Sequence, residues 1–183
     1  MRTGWITASE QVVERFVRHS ECSVQQPAGP SQIILYKLLE EAWGHGGYLD
    51  WLINLRLEYT KRRDTILHSC ENHLPRPIAS WDAPMAGMFH WIKVDWTKHP
   101  AYGSKPLLEI EDDIFKATVE KGALLSKGSW FRAEQGHPGH DMFFRTTFAA
   151  APDDQIDEGI RRFGSALREA FGILESATNG TTS

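Results

Sequence analysis

The feature that most constrains this chain is a change of hydrophobic period at Pro75 and Pro77. Upstream, apolar residues recur at helical spacing. Val12, Val13, Phe16 and Val17 give one helix an apolar face. Ser9 can cap it, with Glu10 and Glu14 near its positive end. Gln25-Gln26-Pro27-Ala28-Gly29-Pro30 breaks the run. A second helix is predicted from about Ser31 to Trp43, where Ile33, Ile34, Leu38 and Leu39 fit a helix covered by neighbours. Gly44-His45-Gly46-Gly47 should end it. A long third helix is predicted from about Tyr48 to Cys70. Its inner face would carry Trp51, Leu52, Leu55, Tyr59, Ile66 and Leu67. Lys61, Arg62 and Arg63 would be solvated charge on its outer face.

Downstream of the prolines the chain turns to short strands interleaved with helices. Ser80-Trp81-Asp82 reads as a short strand and Phe89 to Val94 as a longer one. A helix is predicted from about Leu107 to Lys121 and closed by Gly122. Ala123-Leu124-Leu125 reads as a buried strand, Ser126 to Asp141 as a glycine-rich loop, and Phe143 to Phe148 as a strand. Pro152, Asp153 and Asp154 open a last helix. There Ile156, Ile160, Phe163, Leu167 and Phe171 recur at three- and four-residue steps. Arg2 to Thr7 reads as a further short strand, and the Ser/Thr/Gly-rich tail from 177 to 183 as disordered. Helices first, then strands among helices, is an α+β pattern: helices packed on one face of a short-stranded sheet.

Charge and cysteine content exclude several classes. The formal net charge is −4, which argues against nucleic acid, since phosphate binding needs a concentrated basic face. No apolar run approaches the length of a membrane span, and no secretory signal pattern opens the chain. The two cysteines, Cys22 and Cys70, lack metal-ligand spacing and read as reduced thiols of a cytoplasmic protein.

Arg145 is the leading candidate for chemistry. It interrupts an apolar strand, Phe143-Phe144-Arg145-Thr146-Thr147-Phe148. A buried arginine must find a partner, and its planar fork suits a carboxylate held by two parallel hydrogen bonds. The alternative is a place on the solvent face of an edge strand, and alternation of strand faces leaves both open. Arg2 stands just before the first strand. The turns Ala86-Gly87-Met88-Phe89 and Lys127-Gly128-Ser129-Trp130-Phe131 permit close backbone approach but lack phosphate-loop spacing. His137, His140 and Asp141 are the one cluster with metal-ligand chemistry, without helical H-E-x-x-H spacing or cysteine partners. Ser126, Ser129 and Ser165 lack a nucleophile elbow.

Five segments taken together resemble fold-type I, class I/II pyridoxal-phosphate (PLP) aminotransferases, in the aromatic amino acid, kynurenine and α-aminoadipate branch and its fungal form. They are Arg2-Thr3-Gly4-Trp5-Ile6; Ser23-Val24-Gln25-Gln26-Pro27 with Ser31-Gln32; Pro84 to Val94; Leu124 to Phe131; and Phe144 to Ala149. They stand in family order and at family spacing. The resemblance implies that Arg2 binds the cofactor phosphate and that Arg145 holds the substrate α-carboxylate. It implies that Gly87 and Phe89 line the substrate side-chain pocket and that residues 129 to 131 lie near its entrance. It also implies transamination of an aromatic or related amino acid with a 2-oxo acid, and a homodimer or a missing N-terminal half as partner.

On the same resemblance, the Schiff-base lysine falls before residue 1, so no catalytic residue is assigned within the chain. Lys93 and Lys127 match other family positions. The expectation is a chain that binds PLP weakly or not at all and is inactive alone. Residues 1–30 would be a remnant of the large PLP-binding domain, 31–75 a helical connection and 76–176 the small C-terminal domain. The alternative expectation is a non-catalytic interaction or dimerisation partner of a full-length aminotransferase, or a pseudogene fragment.

Overall fold

The computed structural model describes residues 3–134 and 139–174. It divides into two compact units, Met1–Arg56 and Leu57–Ser183.

In the first unit, residues 3–9 form no strand, because no described segment pairs with them. Helix α1 spans Glu10–Cys22. Ser9 stands at its N-cap, where its carbonyl accepts the N–H groups of Val12 and Val13, each at 3.0 Å. Its hydroxyl makes no capping bond. The expected second helix is two pieces: α2, Gly29–Tyr36, and a wider π-helical turn, Lys37–Ala42. Trp43 N–H closes that turn on Leu38 C=O at 2.9 Å. Gly44, at φ +64°, supplies the left-handed residue that stops it. The glycine cluster does not separate two helices at a distance. It starts α3, Gly44–His73.

Ile33 and Ile34 were expected under cover, yet they are 60% and 52% exposed. Trp51, Leu52 and Leu55 are likewise exposed. Helical period alone cannot say what covers an apolar face, and here the described residues cover these only in part, as where Trp43 and Tyr48 stack on Trp51. Burial along α3 begins further on, at Ile66, Ser69 and Cys70.

The second unit holds a four-stranded antiparallel sheet. Its strands are β1 (Ala79–Ser80), β2 (Phe89–Val94), β3 (Ser126–Lys127) and β4 (Met142–Thr147), in the order β1-β2-β4-β3. Helices α4 (Leu107–Glu120) and α5 (Asp153–Phe171) join the end of α3 on one face. Strand alternation decides which residues meet them. His90, Ile92 and Val94 of β2 point inward, as do Met142 and Phe144 of β4. Phe144 meets Phe163 of α5 edge to face at 5.2 Å. The inner stripe of α5 (Ile156, Ile160, Phe163, Leu167 and Phe171) is wholly buried, as its period predicts. Gly172, at φ +64°, ends that helix.

Four sequence expectations need correction here. Ala123-Leu124-Leu125 is not a strand. Leu124 is 83% exposed, and the segment only leads into β3, the residues that reach the free edge of β4. The strand expected over Ser80 to Asp82 is Ala79–Ser80, fixed by its pairing with Val94 and Lys93. The loop from Ser126 to Asp141 contains β3 and a 3-10 turn, Gly128–Phe131. The basic face of α3 is not merely solvated. Arg62 donates to the Ala151 carbonyl at 2.7 Å, and Lys61 lies 3.6 Å from the Asp153 carboxylate, so both hold the start of α5. Among the described residues no helix is long and apolar enough to cross a membrane. The tail lies outside the described residues.

Candidate functional site

The outer face of the sheet carries the site. With Met142 and Phe144 committed to the core, alternation turns Phe143 and Arg145 outward. On β2 the same rule turns out Phe89, Trp91 and Lys93. Registration then sets Arg145 opposite Trp91 on one side and Ser126 on the other. β4 is an interior strand, so Arg145 is neither a core cation nor an edge-strand residue. It is half-buried on an open face.

Its partners are aromatic. The guanidinium carbon lies 3.7 Å from the Phe131 ring centroid and 4.0 Å from that of Phe89. Such contacts are worth about 0.5–2 kcal/mol, more as water is excluded. Trp91 braces the group edge to face, 5.5 Å from Phe131 and 6.2 Å from Phe143. Among the described residues no carboxylate pairs with Arg145, so its N–H fork stays available for an anionic ligand. A cavity of about 200 Å³ opens beside it, bounded by Phe89, Leu125, Ser126 and Thr147.

Two glycines make this geometry possible. A Cβ on Gly128 would lie 2.6 Å from the Phe143 carbonyl, so only glycine lets the 3-10 turn cross β4 this closely and bring Phe131 over Arg145. Gly87, at φ +82°, forms the turn before β2. The next residue anchors that turn to β4: the Met88 carbonyl accepts Thr147 Oγ1–H at 3.1 Å and Phe148 N–H at 3.2 Å.

The structure therefore brings Arg145 and Phe89 together and adds Phe131, Trp91 and Phe143, while Gly87 stands in the turn two residues before Phe89 and makes no contact with Arg145. Phe131 was legible only as an entrance residue, because a turn of 3-10 geometry leaves no periodic signal. Arg2 lies outside the described residues. Lys93 is held by Asp141 at 2.8 Å. Lys127 is held by Asp112 at 2.7 Å and lies over the rings of Phe115 and Trp130. Lys116 and Lys127 together hold the Asp112 carboxyl at about 2. Neither Lys93 nor Lys127 is a free amine beside Arg145.

Of the histidine–aspartate cluster, His137 lies outside the described residues. Asp141 is occupied by Lys93, and the His140 carbonyl accepts Trp96 Nε1–H at 3.0 Å. No three potential metal ligands converge among the described residues. Both cysteines are free thiols. Burial pushes Cys70 up to about 12, against the opposing charge of Arg76.

One polar cluster escaped sequence reading. Asp157 of α5 accepts Ser69 Oγ–H at 2.7 Å and lies 3.1 Å from His73 Nε2, both on α3. The carboxylate sits between serine and histidine, so the trio joins two helices and does not activate the hydroxyl. The Ser69 hydroxyl, then His73, lowers the pKa of Asp157 against the effect of partial burial.

No family model matches the chain. Curated relatives do. It is 41% identical over 180 residues to aminotransferase swnA of Arthroderma benhamiae, covering 96% of this chain and 36% of that protein. It is 37% identical over 171 residues to an aromatic amino acid aminotransferase of Schizosaccharomyces pombe, covering 93% and 36%. Among solved structures it matches aminotransferase Aro8 of Candida albicans with a TM-score of 0.79 and 41% identity, covering 89% of this chain and 35% of that one. The chain thus spans little more than a third of the length of the relatives it matches. It corresponds to a C-terminal portion of the aminotransferase fold.

Proposed function

We propose, from the chain's correspondence to a C-terminal portion of the aminotransferase fold, that it supplies the substrate-carboxylate side of a PLP-dependent transamination site. One observation carries this reading: an outward arginine framed by the Phe131 and Phe89 rings, with no carboxylate partner among the described residues. Its fork would take the α-carboxylate of the amino acid and, in the second half of the reaction, that of the 2-oxo acid. The rings shed water from the guanidinium and fix its plane, so the fork meets each carboxylate without reorganising. Phe89, Gly87 and the neighbouring rings favour an aromatic or related side chain.

The cofactor is the group that carries the electron-pair chemistry of amino transfer. In this reading the lysine that anchors the cofactor lies outside the described residues. In this reading Arg2 contacts its phosphate, residues 1–30 belong with the large PLP-binding domain, 31–75 form a helical connection and 76–176 form the small domain. The chain by itself is inactive. Free thiols at Cys22 and Cys70 suit a reducing cytoplasm.

A second reading has its own support. The first unit exposes Trp5, Val24, Ile33 and Tyr36 by 60% or more each, surface that suits a polypeptide partner. That partner would be a second copy of this chain, its N-terminal half, or a full-length aminotransferase.

The test follows the transcript upstream of Met1 and assays the encoded polypeptide for amino transfer from L-tyrosine to 2-oxoglutarate. Activity lost in R145K supports the first reading. Absence of a lysine-bearing cofactor domain, with co-purification of a separate aminotransferase, favours the second. The chain alone, mixed with PLP, should show no new protein-bound absorbance band at the edge of the visible, the signature of cofactor joined to a lysine. A band abolished by one lysine substitution overturns the reading that this chain is inactive alone.

A further inference from the structure

The geometry points to Glu111 as a positioning residue for the Arg145 site. This inference rests on the carboxylate reading of Arg145 and extends it to a residue that touches no ligand. Glu111 lies on α4 and is 1% exposed. Its Oε1 accepts the Ser129 N–H at 3.1 Å, while its Oε2 has no hydrogen-bond partner. A buried carboxylate with an orphaned oxygen is a costly way to fill space, and an apolar side chain would pack there more cheaply.

What the carboxylate supplies is a grip on one turn. Ser129 belongs to the 3-10 turn Gly128–Phe131, two residues before the ring that covers Arg145. The same helix grips the turn twice more. Asp112 pairs with Lys127 at 2.7 Å, and Phe115 meets Trp130 edge to face at 5.3 Å. Gly128 already presses the start of the turn onto Phe143. Among these contacts only the Glu111 bond holds a backbone N–H inside the turn. A short 3-10 turn has little internal hydrogen bonding of its own. Fixing that N–H from α4 fixes where Phe131 lies.

The test compares E111Q, which keeps an acceptor oxygen, with E111M, which removes it at similar volume. Amide hydrogen exchange of residues 129–132 in the whole chain should rise about tenfold in E111M and stay at the wild-type rate in E111Q, the size of effect one lost hydrogen bond produces. The dissociation constant of 3-phenylpropanoate, read by tryptophan fluorescence, should rise about three- to tenfold in E111M and F131L, as loss of a cation–π contact predicts. E111Q should bind like wild type. Unchanged exchange in E111M overturns the tether. Raised exchange with unchanged affinity in E111M, while F131L weakens binding, overturns its role at the site. If R145K binds the probe as well as wild type, the carboxylate reading of Arg145 fails, and exchange alone then decides whether Glu111 positions the turn.

Discussion

The Arg145 guanidinium carbon lies 3.7 Å from the centroid of the Phe131 ring, although 14 residues separate the two and only Phe131 lies outside the sheet strands. In the proposed reading, that contact presets an arginine of an apolar strand to receive a carboxylate. Replacing Arg145 by Lys keeps the charge and loses the fork and the ring stacking. In a transaminating polypeptide that contains this chain, R145K should raise KM for both the amino acid and the 2-oxo acid. The expected rise is about tenfold to a hundredfold, the range of one or two charge-assisted hydrogen bonds. Steady-state kinetics with each substrate varied in turn checks it. A rise for one substrate alone would contradict a shared carboxylate site.

His90 should set the acid limit of the second unit. It is 1% exposed, neither ring nitrogen has a hydrogen-bond partner, and burial lowers its pKa to about 4. The unfolded chain therefore takes up a proton before the folded one. Stability is intact above the unfolded value near 6.5 and falls as pH drops towards 4, by up to about 3 kcal/mol at 1.36 kcal/mol per pKa unit. H90F removes the titration and fills the same space. Urea melts from pH 7 to pH 4 should show a flatter stability curve for H90F than for the parent chain.

Two glycines of α5 should respond in opposite directions to the same change. A Cβ on Gly164 would lie 2.2 Å from the His73 carbonyl, where α3 ends against α5. A Cβ on Gly159 would meet nothing within 4 Å. G164A should destabilise by about 2 kcal/mol or more through overpacking. G159A should stabilise by about 0.5–1 kcal/mol through helix propensity. Thermal melts of both variants decide it, and a stabilised G164A would show that the two helices are not in such close contact.

The Ser69–Asp157–His73 cluster should weaken in acid. The folded carboxylate has a lowered pKa, so its contribution is present above the unfolded carboxylate value and is lost as pH falls through the folded one. D157A should cost about 1 kcal/mol at pH 7, discounted for a carboxylate that is partly exposed. Its melting temperature should converge on that of the parent chain well below pH 4 or so, where both carry no charge at this position. A constant gap across that range would show that packing, and not the carboxylate, joins the helices.

Much of this was legible in the residues themselves. The stripe from Ile156 to Phe171 specifies a core-facing helix, because 3.6-residue spacing places all five side chains on one side. The alternation of Phe89 to Val94 specifies a half-buried strand, and Arg145 declared itself by standing in apolar surroundings. These are local properties, encoded within one element. The tertiary structure decided which face of β4 Arg145 occupies, that β4 is an interior strand, and that Phe131 covers its guanidinium. It also decided that Glu111 reaches Ser129 and that Asp157 reaches Ser69, 88 residues away in sequence. Each of those depends on register and on close approach of distant segments. Neither leaves a period in a single chain, since the spacing that matters lies across the fold and not along it.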